Sequence, residues 1–320
     1  MQAPDAFDTL LSSKRPLVLG IGGGGDVVGA LGIAELLRRY RGAEPLLGGI
    51  SWERLPVDPQ PGPRRAEEIE GATRVADGVL LAGPDTRVRG TEIRFSESRM
   101  SEFLGQPTVL LDISGGPVAL AGGLCEALRE LDRDALVMVD VGGDVLAHGD
   151  EPGLGSPLCD AVLLAAGVAV ADAGWPVVGA VFGSGCDGEL TIDEISDRVS
   201  ELGAAGALSG ALGLTTSVAG VLEAATAEVI TEASALPIRA LRGERGEVEI
   251  RGGRRRVWLT PAAALTIFFD PGLAVASAAR LARAVADAAS LEEANAILNA
   301  RGVGTELDWE REAAARAAHA

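Results

Sequence analysis

Four times this chain runs an apolar strand straight into glycines and a carboxylate. The segments are 17–26 (LVLGIGGGGD), 109–116 (VLLDISGG), 136–144 (LVMVDVGGD) and 177–187 (VVGAVFGSGCD). A near-continuous apolar run suits a strand covered on both faces, as in the parallel sheet of an α/β protein. Glycines after the strand allow a tight turn, and in open parallel sheets ligands bind in those loops, outside the carboxyl ends of the strands. The pattern predicts one α/β fold with one site at one sheet edge.

The intervening segments alternate accordingly. Strands are expected at 17–21, 45–50, 108–113, 136–141, 177–182 and 265–269, with short ones at 79–82 and 86–88. Helices are expected at 26–40, 118–130, 157–171, 192–202 and 216–230 from their 3.6-residue apolar spacing. The Pro-rich stretch 56–65 reads as a surface loop. Residues 237–259 change character: 238–241, 248–250 and 257–259 alternate with Arg and Glu around Gly252 and Gly253, which predicts a small antiparallel hairpin extension. Helices at 273–289 and 291–301 close the chain over 272–301, with Ser290 and Glu293 forming a capping-box start, and residues 310–320 read as a frayed helix. The expected architecture is a Rossmann-like, mostly parallel sheet with helices on both faces, in a single domain over residues 1–320.

Composition limits the chemistry. A net charge of −18 argues against nucleic acid or an anionic membrane as partner. No long uninterrupted apolar run reads as a membrane span, and the acidic start has no signal core, so a cytoplasmic protein is expected. Lys14 is the only lysine and precedes the first strand, which disfavours Schiff-base or Walker-lysine chemistry. Of two histidines, His319 lies in the tail, leaving His148 as the candidate imidazole acid. Cys125, Cys159 and Cys186 lack ligand spacing and read as reduced core thiols. Carboxylates must therefore carry most of the acid–base or metal work.

The candidate residues follow from the strand ends. Gly22, Gly23, Gly24 and Gly25 complete a G-x-G-x-x-G turn before a helix, a geometry that brings backbone amides to a phosphate. The acid that a dinucleotide site expects after the second strand is displaced to Glu53, and Asp26 would repel a pyrophosphate unless a cation intervenes or it caps its helix. Asp140 and Asp144 flank Gly142 and Gly143, and carboxylates four apart across such a turn can converge on Mg²⁺, or one can serve as base. Asp160 lies in the first turn of the next helix. Asp112 with Ser114, Gly115 and Gly116 repeats the anion-binding geometry, and Ser184, Gly185 and Asp187 could grip a hydroxyl-rich group. At each place the plainer reading is a loop cap. For the seven arginines between Arg239 and Arg256, the plainer reading is a solvated strand or oligomer face.

At IGGGGDVVGA (21–30), DVGGDVL (140–146) with the stretch at 153–161, and GSGCDGEL (183–190), the chain resembles the archaeal and bacterial domain-of-unknown-function family 1152. The resemblance covers about residues 15–290 and implies an α/β fold and a site location, without an assigned reaction. Together these residues predict an enzyme for a phosphorylated or nucleotide-like small molecule, assisted by carboxylates and Mg²⁺, with hydrolase, transferase and lyase chemistry all open. The competing expectation is a non-catalytic nucleotide-binding or sensing protein. A homo-oligomer is the default for such a chain.

Overall fold

A computed structural model describes residues 5–55 and 57–318; His319 and Pro56 lie outside the described residues. In chain order the elements are α1 (Ala6–Ser12), β1 (Pro16–Gly20), α2 (Asp26–Arg41), β2 (Leu46–Ile50), β3 (Ile69–Ala76), β4 (Val79–Val88), α3 (Ser96–Leu104), β5 (Thr108–Leu111), α4 (Gly116–Glu130) and β6 (Ala135–Val141). They continue with α5 (Pro157–Asp172), β7 (Val177–Phe182), α6 (Ile192–Ala204), β8 (Leu208–Gly213), α7 (Thr216–Glu228), α8 (Leu236–Leu241), β9 (Gly246–Ile250) and β10 (Arg255–Leu259). The chain ends with β11 (Leu265–Phe269), α9 (Pro271–Ala276), α10 (Arg280–Val285), α11 (Leu291–Asn299) and α12 (Glu306–Ala318).

One sheet has the order β3-β4-β5-β2-β1-β6-β7-β11-β8. Its centre, β5-β2-β1-β6-β7, is parallel throughout, while β4 and β11 run against it on either side. The chain therefore passes outward from β1 through β2 to β5, then returns to the other flank of β1 with β6 and β7. That reversal is a topological switch point, and it sets the loops after β1 and β6 side by side. The strands bury both faces by alternation. Leu17, Leu19, Leu136 and Met138 pack beneath α4, α5 and α9–α11, whereas Val18, Val137, Val139 and Val178 pack beneath α2, α7 and the hairpin β9–β10. No helix among the described residues is long and apolar enough to cross a membrane.

Several expected elements differ. Residues 238–241 form helix α8, with Pro237 in its first turn, and only 246–259 make the hairpin. Residues 79–88 are one strand, β4, paired with the unexpected β3. The expected helix 273–289 is divided into α9 and α10. The stretch around 56–65 is not simply a solvated loop: Asp58 and Arg64 form a buried ion pair, and the Gly62 amide donates to Glu310 at 2.9 Å. Helix α12 docks through Glu306, Leu307 and Glu310 at its start, while residues 311–318, within the stretch expected to fray, are half-buried or exposed.

Candidate functional site

The loops after β1, β6 and β7 bring a row of carboxylates to the switch point. Asp26 opens α2, Asp140 ends β6, and Asp160 lies in the first turn of α5. Each of the three brings one oxygen within 4.8 Å of the others. Asp144, Asp187 and Glu189 form a second such group beside them. Asp140 and Asp160 are each 1% exposed, and each leaves its Oδ1 buried with no hydrogen-bond partner. Such orphaned oxygens are costly where no water or ion reaches them.

The glycines make room for these carboxylates. Asp26 Oδ2 accepts the amides of Gly22 at 3.0 Å and Val141 at 3.3 Å, tying the β1 loop to the β6 strand end. A Cβ on Gly22 would meet that oxygen at 2.5 Å and Asp160 Oδ2 at 3.3 Å. At Gly142, φ is +133° and a Cβ would fall 2.2 Å from the Asp187 Cγ, so only glycine lets the β6 and β7 loops interlock. The Gly185 amide completes that join by donating to Gly142 O at 2.7 Å. Val145 N donates to Asp140 Oδ2 at 3.2 Å and holds that oxygen.

Burial and like-charge crowding act in the same direction here. Burial, then the neighbouring Asp144, Asp26 and Asp187, raise Asp140 well above the usual carboxylate range. Burial, then Asp160, Glu189 and Asp187, do the same to Asp144; for Asp160 the causes are burial, then Asp140 and Asp26. Asp26 is raised by burial to about 7 against the opposing pull of its amide bonds, Arg54 and Arg251. Asp187 also reaches about 7, through burial and then Glu189. Glu189 itself accepts the Gly155 and Ser156 amides, both at 2.8 Å, with Arg255 at 3.3 Å and Arg251 at 3.7 Å. It is fully engaged as a structural anchor for the hairpin.

Other expected site residues are held apart from this cluster or are occupied. The Gly24 amide donates to Trp52 O at 3.1 Å, and a Cβ on Gly25 would strike Thr231. The turn 22–25 is thus filled by the protein's own groups. Asp112 accepts the amides of Ala66 at 2.8 Å and Ser114 at 2.9 Å, the plainer reading of that motif. A Cβ on Gly116 would meet Ser290 N at 2.7 Å, so segment 288–290 covers the Ser114–Gly116 turn. The His148 ring contacts Arg198 and is 2.9 Å from Glu201 on α6; burial and then Arg198 lower its pKa. Cys186 is buried and its thiol is pushed up by burial, then by Asp187, which leaves it inert.

The family model for a protein of unknown function, DUF1152, matches residues 17–314. The chain belongs to the DUF1152 family. No curated protein and no solved structure matches it. The match spans every carboxylate of the cluster in this DUF1152 protein. It also spans two groups that the motif reading passed over. Arg54 lies 4.4 Å over the Trp52 ring and donates to Gly22 O at 2.7 Å, beneath the glycine turn. Glu306 pairs with Arg54 at 3.4 Å and accepts the Leu158 and Cys159 amides at 3.0 and 2.9 Å, which caps the helix carrying Asp160. Arg54 follows Glu53 immediately in sequence, but nothing local marks either Arg54 or Glu306.

Proposed function

We propose that this DUF1152 protein is a cytoplasmic enzyme acting on a phosphorylated or nucleotide-like small molecule with the help of a divalent cation, Mg²⁺ foremost. The observation that supports this most is the convergence of Asp140, Asp160 and Asp26 at the switch point, the first two each keeping a buried oxygen without a hydrogen-bond partner. An oxygen-only set of carboxylates suits a hard cation such as Mg²⁺ or Mn²⁺. A cation would also offset the like-charge crowding that, after burial, raises Asp140 and Asp160. Asp140, Asp160 and Asp26 hold it in this reading. Asp144 and Asp187, grouped with Glu189 beside it, take the roles of base and hydroxyl acceptor.

In the glycine turn 22–25, Gly22 then serves carboxylate packing, and the anionic part of the substrate meets the cation and Arg251. That arginine is at the turn joining β9 to β10 and favours the charged forms of both Asp26 and Asp187. The fold thereby gives the Arg-rich hairpin a place beside the carboxylates. Hydrolysis and group transfer are both compatible with a cation that polarises an oxygen and a nearby carboxylate that removes a proton.

Calorimetric titration with Mn²⁺ and Mg²⁺ tests the cation. Saturable binding to the parent protein is expected, with at least a tenfold loss in Asp140→Asn and in Asp160→Asn. Absence of binding by the parent protein would sink the reading. Release of phosphate from a panel of phosphate esters and nucleotides, lost in Asp187→Asn while Mn²⁺ binding persists, separates an enzyme from a binding protein.

A further inference from the structure

Outside the carboxylate centre, a cleft of about 260 Å³ opens between the loop after β7, the loop after β6 and the outer face of the hairpin. Its walls include Gly188, Leu190 and Ile192 on one side, with Glu247, Arg256 and Trp258 on the other. The hairpin alternates strictly. Val248, Ile250, Val257 and Leu259 are buried in the core, so Trp258 and Arg256 are on the opposite face, with Glu247 directly across the ladder from Trp258. Trp258 is 65% exposed, an unusual surface position for an indole on a strand whose other face already anchors it. Glu247 and Arg256 pair at 3.4 Å, placing an acceptor and a donor beside the ring.

From this geometry we infer that the cleft is a subsite for the heteroaromatic ring of the substrate, a nucleobase-class group stacked on Trp258. The inference deepens the proposed function and rests on it for the link to catalysis. Whole small-molecule sites run from roughly 300 Å³ upward, so about 260 Å³ accommodates one part of a ligand better than all of it. The other part has a place to go. Gly188 and Glu189 line the cleft and directly follow Asp187 in the chain, so a molecule seated in the cleft lies against the loop that carries that carboxylate. Every base has a π-face for Trp258, and exocyclic amino groups can donate to Glu247.

Binding of adenosine, guanosine, cytidine and uridine to the full chain without divalent cation tests the subsite apart from the metal centre. At least one nucleoside is expected to bind and to quench tryptophan fluorescence. Trp258→Ala should weaken it about fivefold or more, and Trp258→Phe much less. Lack of binding by all four nucleosides, or binding indifferent to Trp258→Ala, overturns the inference even if Mn²⁺ still binds at Asp140. Sedimentation velocity of the parent protein and Trp258→Ala is the companion measurement. A parent dimer that Trp258→Ala converts to monomer, with no nucleoside bound, would assign this face to a second copy of the chain and equally overturn it.

Discussion

At the scale of single residues, two kinds of glycine have opposite roles. Gly142 has φ at +133° and gives the Asp187 carboxyl the space a Cβ would fill, so Gly142→Ala should cost at least about 2 kcal/mol in urea unfolding. Gly122 sits exposed inside α4 with open space around it, and Gly122→Ala should instead stabilise by about 0.5–1 kcal/mol. Equal effects at the two positions would contradict the account of why the β6 turn needs glycine. Asp140 invites a different substitution. Its carboxyl is buried among like charges, so Asp140→Asn should raise the melting temperature of cation-free protein near neutral pH. The same change should remove any stabilisation by Mn²⁺. A lower melting temperature for this variant would show that the charge is compensated within the fold.

At the scale of elements, α12 is the decisive addition. A reading of local pattern leaves residues 310–320 as a frayed end, because Ala-rich sequence carries little information about docking. In the fold, Glu306 caps α5 from across the chain and Glu310 accepts Trp52 Nε1 at 2.9 Å. Glu306→Ala should therefore destabilise by about 1–2 kcal/mol through the lost cap, with hydrogen exchange rising first in the opening turn of α5. Exchange confined to α12 would mean that the cap contributes nothing to the helix carrying Asp160. Other elements were misread for identifiable reasons. Ile238–Leu241 alternates with Arg as a strand would, yet Pro237 starts a helical turn there and the short 3-10 turn at Ala233–Ala235 leads into it. Strand β3 (IEGATRVA) is mostly solvent-facing at the sheet edge, so it lacks the apolar run that marks the central strands.

At the scale of the molecule, the carboxylates couple stability to pH. Asp26 and Asp187 titrate near 3.8 when unfolded and about 7 in the fold. Between those values the native state holds protons that the unfolded state releases, so stability falls as pH rises through that window. The contribution is complete below the lower value and lost above the higher one; Asp140, Asp144 and Asp160, raised by burial and like charge, act in the same direction. The net charge of −18 adds self-repulsion of the same sign. Cation-free protein should therefore melt at lower temperature at about pH 8.5 than at about pH 6, with Mg²⁺ recovering more at the alkaline end. A melting temperature that rises with pH, measured by calorimetry in matched buffers, would refute the assignment of these carboxyls as buried and mutually repelling.

The central strands, the helices that cover them and the strand-end location of Asp26, Asp140 and Asp187 were legible in the sequence, because each rests on local apolar periodicity followed by a glycine turn. The family resemblance was legible there too, from the same loops. Pattern alone left undecided which carboxylates meet. Asp140 and Asp144 are close in sequence, but the fold groups Asp140 with Asp26 and Asp160, and Asp144 with Asp187 and Glu189. It likewise gives Asp112 to backbone amides and His148 to α6, and brings Arg54, Glu306 and the hairpin to the site from distant segments. Those partnerships depend on the order β5-β2-β1-β6-β7 and on which loops lie side by side at its reversal, a property of the folded sheet that no short stretch of chain encodes.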